Sequence, residues 1–202
     1  MPKTWGLAGC LVVAGAGPVM AHSPVPGIEG FYVGLLHPFS TPSQAVLMIG
    51  LGLLVGAFDV VKVRWLLGSF LVASTAGLIA GFGTAEIDAT MFAAAFVACA
   101  FAALLPGKTA LAALGVVAFG GLLIGAASIP DDGPMRDRMF TMSGSLVGAN
   151  VGLLYLFGIN HWIRELYTWA WVPIAFRVAA AWVGAIALVM LALSFAEIAP
   201  QG

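Results

Sequence analysis

Four side chains have the chemistry to bind a divalent transition metal ion: His22, Glu29, His37 and Asp131. Imidazole nitrogen and carboxylate oxygen are donors that such ions accept. His37 precedes Pro38 at the start of a long apolar run, where an imidazole needs a local partner. His22 would offer its imidazole together with its α-amine, provided that the chain is processed just before it and both groups are deprotonated. These residues indicate a metal site on one face of the molecule.

Three of these candidates also have a purely structural interpretation. His37 could donate to a backbone carbonyl that Pro38 or Pro42 leaves free. His22 could simply follow a processing site. Residues 130–133, Pro-Asp-Asp-Gly, are typical of a turn, because aspartate accepts backbone hydrogen bonds and glycine supplies a positive φ. Both interpretations stay open for each residue at this level.

The sequence carries no enzyme pattern. It has no paired carboxylates in its apolar runs, no serine or cysteine nucleophile with a nearby base, and no His-Glu-x-x-His motif. Cys10 and Cys99 lack CxxC spacing, which argues against a disulfide framework or a thiolate metal site. The net charge of −1 and the lack of a basic stripe argue against nucleic-acid binding. We therefore expect a protein that is not an enzyme, with a divalent transition metal ion as its one candidate cofactor.

The composition predicts an integral membrane protein. Hydrophobic residues make up 61% of the 202 residues and charged residues only 8%, whereas about a quarter of the residues in soluble domains are charged. Residues 1–21 combine Lys3, an apolar stretch and a Val19-Met20-Ala21 ending, which is the pattern of a secretory signal peptide. We expect residues 22–202 to form a single transmembrane helical domain. Its first part, residues 22–42, is predicted to be a proline-broken lead-in on the outer surface.

The apolar runs after this lead-in predict the fold class: an all-α, polytopic membrane helix bundle with about six transmembrane helices. Glycines recur at four-residue spacing within these runs, which lets neighbouring backbones approach closely and favours a compact bundle. The predicted spans are 43–58, 65–82, 90–105, 109–127, 139–159 and 173–195.

Basic residues between the predicted spans set the orientation. Lys62, Arg64, Lys108 and Arg164 follow the odd-numbered spans, and basic residues of short loops stay in the cytoplasm. We therefore expect a multi-pass protein of the bacterial inner membrane, with the mature N-terminus and His37 on the periplasmic side. The lipid bilayer is its expected partner, and the glycine-rich helix faces are compatible with a larger membrane protein complex or a homo-oligomer.

The order of these features resembles the HupE/UreJ family of hydrogenase and urease accessory membrane proteins. The chain has a signal peptide, Ala-His at the processing site, the run Gly-Leu-Leu-His-Pro over residues 34–38, and then a glycine-rich span. In that family a His-Pro start is followed after five residues by Asp-His, the group thought to bind nickel or a similar ion. Ser43 and Gln44 stand at those two positions here.

The resemblance implies a protein that takes up or handles a divalent transition metal ion, such as nickel, from the periplasmic side. The alternative is a non-transporting accessory or structural subunit of a larger membrane complex. The lack of a carboxylate or histidine inside any predicted span favours this alternative, because a path for a doubly charged ion normally needs such groups at depth.

Overall fold

The computed structural model describes residues 29–81, 87–130 and 134–198, and all regular secondary structure in these ranges is α-helical. This confirms the all-α prediction for the described part of the chain, whereas residues 1–21, the predicted signal peptide, lie outside it. The helices in these ranges are α1 Glu29–Ser40, α2 Pro42–Val55, α3 Val60–Ala80, α4 Ile87–Leu104, α5 Ala110–Ala126, α6 Met135–Leu166 and α7 Val172–Ile198.

Prolines separate α1 from α2 by a sharp bend. Pro42 occupies the first turn of α2, and Thr41 before it is extended, with φ −90° and ψ 123°. A proline disfavours the helical conformation in the residue that precedes it. The two helices are consequently bent by 71° from one another. From residue 29 onward, the lead-in is thus a helix that turns into the first long apolar segment at Thr41.

Four helices are long and apolar enough to cross a membrane: α3, α4, α6 and α7. The bent α1–α2 pair meets the same criterion as one unit and gives a fifth segment. Helix α5 has 17 residues, or about 25 Å at 1.5 Å per residue, slightly less than the ~30 Å hydrocarbon core. By length and composition, the described residues therefore contain four or five candidate spans, where six were predicted.

Helix α6 is longer than the sequence pattern indicated. It continues to Leu166, beyond the predicted span end at residue 159. The Asn160 side-chain amide donates to the Leu156 carbonyl at 2.8 Å, whereas its buried Oδ1 atom has no hydrogen-bond partner among the described residues. No proline or glycine stands between residues 159 and 167. Only residues 167–171 therefore separate α6 from α7.

Paired glycines form the closest helix crossings. Where α1 crosses α6, a Cβ on Gly34 would overlap the carbonyl oxygen of Thr141, and one on Gly144 would overlap the backbone of α1. Gly77 of α3 and Gly125 of α5 meet in the same reciprocal way. These two helix pairs, together with α4 and α7, have the most extensive contacts in the described ranges. Such close backbone approach stabilises helix pairs that lack a hydrophobic drive to associate.

Helix α2 lies at the centre of the bundle. Its side chains Leu47, Met48, Leu51 and Val55 are completely buried, and it contacts α4, α5, α6 and α7. Helix α7 is peripheral, since only 17% of its apolar window is buried. Its exposed surface is apolar, as expected for a helix that contacts lipid.

The helices from α2 onward alternate in direction, so the bundle has two ends. The C-terminal ends of α2, α4 and α6 lie together at one end of the bundle. Gly107, which follows α4, approaches the carbonyl of Ala57, which follows α2, and Gly56 packs against Asn160 near the end of α6. We call this the basic end. It carries the four residues that set the predicted orientation: Lys62, Arg64, Lys108 and Arg164.

Candidate cation-binding cavity

A polar cavity of about 390 Å³ lies at the end of the bundle opposite the basic end. Its walls come from α1, α2, α4, α6 and the segment that follows α5, so it lies where most of the helices meet. The residues that bring polar side chains to its lining are His37, Thr41, Gln44, Asp88, Ser128 and Thr141.

His37 and Gln44 face each other across the bend between α1 and α2. The Nε2 atom of His37 lies 3.2 Å from the side-chain nitrogen of Gln44. The amide donates in this arrangement, so His37 Nε2 accepts and the ring proton is on Nδ1. In the described ranges His37 therefore pairs with an amide, and no hydrogen bond joins its ring to a carbonyl freed by proline.

The Gln44 amide oxygen is an unsatisfied acceptor. Gln44 is only 2% exposed, and its Oε1 atom has no hydrogen-bond partner among the residues that the structure describes. A buried polar atom without a partner costs roughly 1–3 kcal/mol. Gln44 lines the cavity, but its Oε1 atom is enclosed by protein, so the side chain must rotate before this oxygen can reach an ion there.

Asp88 brings a carboxylate to the cavity from the first turn of α4. The helix dipole favours a negative charge at this position. The hydroxyl of Ser43 donates to Asp88 Oδ1 at 2.6 Å, a distance typical of a hydroxyl bonded to an ionised carboxylate. Ser43 is 2% exposed, whereas Asp88 is exposed. The carboxylate is therefore fixed from the bundle side and open on the other.

Neutral polar pairs lie beneath the cavity and join helices. Ser145 of α6 donates to Ser128, which follows α5, at 2.7 Å. Deeper along α6, the Asn150 amide donates to the Ser74 hydroxyl of α3 at 3.3 Å. Ser74, Ser128 and Ser145 are at most 3% exposed. These groups are well placed to hold helices together, but they add no charge that would balance an ion.

The cavity lining contains one carboxylate and one imidazole, and the Nε2 lone pair of that imidazole becomes available to an ion only when the Gln44 amide turns away from it. Mixed nitrogen and oxygen donors suit borderline divalent ions such as nickel. Within the described ranges, no group of three or more His, Cys, Asp or Glu side chains could hold a metal ion. One histidine and one carboxylate are a weak and poorly selective donor set, so water would have to supply most of the coordination of any ion there.

Of the four residues predicted from the sequence, His37 lies in the cavity wall. Glu29 is exposed at the start of α1. It lies eight residues before His37, or roughly 12 Å along the helix axis, and it is not part of the cavity lining. His22 and Asp131 lie outside the described residues, although Pro130, the neighbour of Asp131, lines the cavity.

Sequence reasoning did not select Asp88, Gln44 or Ser43 as site residues. Asp88 lies between the predicted spans 65–82 and 90–105, and its partner Ser43 is 45 residues away in the chain. The available signal was positional: the resemblance expected from the sequence places Ser43 and Gln44 where an Asp-His pair would stand. The second of these positions does face His37 across the cavity wall.

Comparison with known proteins adds no relative to this description. No protein-family model matches the chain, and neither the curated proteins nor the solved structures contain a match to it.

Proposed function

We propose that this chain is a HupE/UreJ-like integral membrane protein of the bacterial inner membrane that takes up or handles a divalent transition metal ion, such as nickel, from the periplasmic side. The ion would bind in the cavity, with His37 and Asp88 as its principal ligands. The observation that carries this proposal is that these two residues, from different helices, line one cavity. His22 and Asp131 remain proposed auxiliary ligands on the same face.

The charge distribution supports the periplasmic assignment. Four basic residues lie at the basic end, opposite the cavity, and such residues stay on the cytoplasmic side. Helix α5 begins after the turn at Gly107, at the basic end, and it ends beside Ser128 in the cavity wall. We therefore infer that α5 also crosses, which gives six spans after removal of residues 1–21.

A second candidate function is a non-transporting accessory or structural subunit of a larger membrane complex. The buried polar side chains of the described helices are all neutral, being serines, one glutamine and one asparagine. A doubly charged ion needs acidic or histidine ligands at depth to cross a bilayer. The neutral interior favours this role, in which the protein packs against a larger membrane complex and carries no ion across the membrane.

Metal binding to the purified full-length protein tests the proposal. In calorimetric titrations with Ni²⁺, His37→Ala and Asp88→Asn are each expected to lower the affinity at least about tenfold, because even changes that only support a ligand cost roughly 10–100-fold. The matched control is His161→Ala. His161 lies on α6 towards the basic end and pairs with Glu165 at 3.2 Å. Equal affinities for the wild type and His37→Ala would contradict the proposal.

Uptake into proteoliposomes separates the two candidate functions. A chelating dye inside the vesicles reports Ni²⁺ that has crossed the membrane. Uptake that depends on His37 supports a permease. Binding without uptake supports the accessory role, and the absence of both would overturn metal handling altogether.

A further inference from the structure

We propose that Arg164 and Arg177, at the basic end of the bundle, bind the phosphate group of an anionic phospholipid. Arg164 lies near the end of α6 and Arg177 near the start of α7, so the lipid would sit against both helices. This end lies opposite the polar cavity, and lipid binding there does not depend on a metal ion.

Arg177 is anchored at the end of α4. Its Nε atom donates to the Ala103 carbonyl at 2.6 Å. Ala103 belongs to the last turn of α4, where the carbonyls lack an intrahelical partner and the helix dipole favours a cation. The Arg177 residue is nevertheless exposed. This contact fixes the base of the guanidinium group, and its two terminal nitrogens are left for an acceptor outside the protein.

Arg164 is held against the neighbour of Arg177 in the chain. Its guanidinium carbon lies 4.4 Å from the centre of the Phe176 ring, a cation–π contact. In the described ranges its Nε atom is buried and has no hydrogen-bond partner, but its terminal nitrogens are not among the buried unpartnered atoms. The phenyl ring thus orients this guanidinium group, and its terminal nitrogens are open to a ligand.

Neither arginine is neutralised by a carboxylate of the described residues. The two acidic side chains that form ion pairs at this end do so with other partners: Asp59 lies 3.9 Å from Lys62, and Glu165 lies 3.2 Å from His161. Both guanidinium groups therefore keep their positive charge. An arginine close to the hydrocarbon region is costly unless it has a partner, so an external anion would stabilise the pair.

Exposed aromatic rings place the two arginines near the lipid headgroups. The link between α6 and α7 carries Tyr167, Trp169 and Trp171, all at least 40% exposed, and such rings lie at the membrane interface. Both arginines are within about two helical turns of this link. Guanidinium binds phosphate through two parallel hydrogen bonds, and basic pockets between helices bind anionic headgroups. A zwitterionic headgroup fits less well, because its ammonium group is repelled by two unneutralised arginines.

Native mass spectrometry of the full-length protein tests the site. The protein is released from micelles that contain equal amounts of phosphatidylglycerol and phosphatidylcholine with the same acyl chains. The wild type is expected to retain phosphatidylglycerol preferentially. Arg164→Gln and Arg177→Gln should each lower the ratio of bound phosphatidylglycerol to bound phosphatidylcholine roughly tenfold, as expected for the loss of a hydrogen bond to a charged group. The matched control is Arg64→Gln, since Arg64 is also exposed at the basic end but lies over Trp65 of α3, 5.4 Å from the ring centre.

A ratio that falls in the Arg164 and Arg177 variants and not in Arg64→Gln supports the site. Equal falls in all three variants would overturn it, because they would reflect only the overall charge of this end. A wild type without a preference for phosphatidylglycerol, or release of the lipid by excess inorganic phosphate, would also overturn it. Should Arg177→Gln not fold, Arg177→Lys keeps the charge without the planar fork and must lower the ratio by a smaller factor. Ni²⁺ affinity should be the same in all these variants, so the site and the proposed function can fail independently.

Discussion

The crossing of α1 and α6 offers a test of the packing that needs no assumption about function. Gly34→Ala adds a Cβ at this crossing. That atom would lie 2.9 Å from the carbonyl carbon of Thr141 and 3.0 Å from the backbone nitrogen of Ser145, and closer still to the Thr141 oxygen. Ordinary contacts between carbon atoms are about 3.5–4.0 Å. The two helices must therefore separate by about 1 Å to accept a methyl group.

The expected cost of Gly34→Ala follows from this overlap. Inserting a methyl group into a well-packed contact destabilises a protein by about 1–3 kcal/mol. Gly68→Ala is the matched control, because Gly68 lies within α3 and a Cβ there meets nothing within 4 Å. In an open helical position, alanine is more stable than glycine by roughly 0.5–1 kcal/mol. The free energies of unfolding of the two variants should therefore differ by roughly 1.5–4 kcal/mol.

The assay is equilibrium unfolding of both variants in mixed micelles, followed by circular dichroism, with Ni²⁺ titration of the folded fraction. Because α1 carries His37, its displacement should also weaken metal binding in Gly34→Ala and not in Gly68→Ala. A Gly34→Ala protein that is at least as stable as Gly68→Ala would refute the close crossing of these helices.

Three further variants test individual contacts. Glu29→Gln is expected to keep the Ni²⁺ affinity within about twofold in calorimetry, because an exposed charge roughly 12 Å from His37 is screened by solvent and salt. Gly107→Ala should lower the thermal stability by about 1–2 kcal/mol, since the φ of Gly107 is 70° and side chains disfavour this left-handed region. Asn150→Leu removes the hydrogen bond to Ser74 and should cost roughly 0.6–1.7 kcal/mol in the same unfolding assay, the range found for polar contacts between membrane helices.

The helical class and the break near Thr41 were predictable because both follow from local chemistry. Long apolar runs favour membrane helices, and proline at residue 42 forces the preceding residue out of the helical conformation. The helix ends were less predictable. Lys62 and Arg64 were expected in a loop, yet they lie in the first turns of α3. A charged residue at a membrane boundary can belong either to a loop or to the end of a helix, so its charge alone does not locate the helix start.

The candidate site was predictable only in part. His37 could be identified because a histidine before a proline at the mouth of an apolar run is unusual. The pairing of Ser43 with Asp88 depends on how α2 packs against α4. These helices approach so closely that a Cβ added to Gly50 would lie 3.2 Å from the carbonyl oxygen of Ala95. A contact between residues 45 positions apart is fixed by such packing, and no local pattern encodes it.

The charge of the cavity bears on the choice between uptake and an accessory role. One carboxylate leaves a bound divalent ion with a net positive charge, and the groups beneath the cavity are neutral. An ion that moves inward would therefore have to keep much of its water, which requires space between helices.

The glycine contacts close α1 onto α6 and α3 onto α5, whereas the bond from Asn150 to Ser74 links one pair to the other. Space for water must open between the two pairs, where polar groups are already present. Asn150→Leu should therefore reduce uptake while sparing Ni²⁺ binding if the protein is a permease, and in an accessory subunit it should leave the metal-binding properties unaltered.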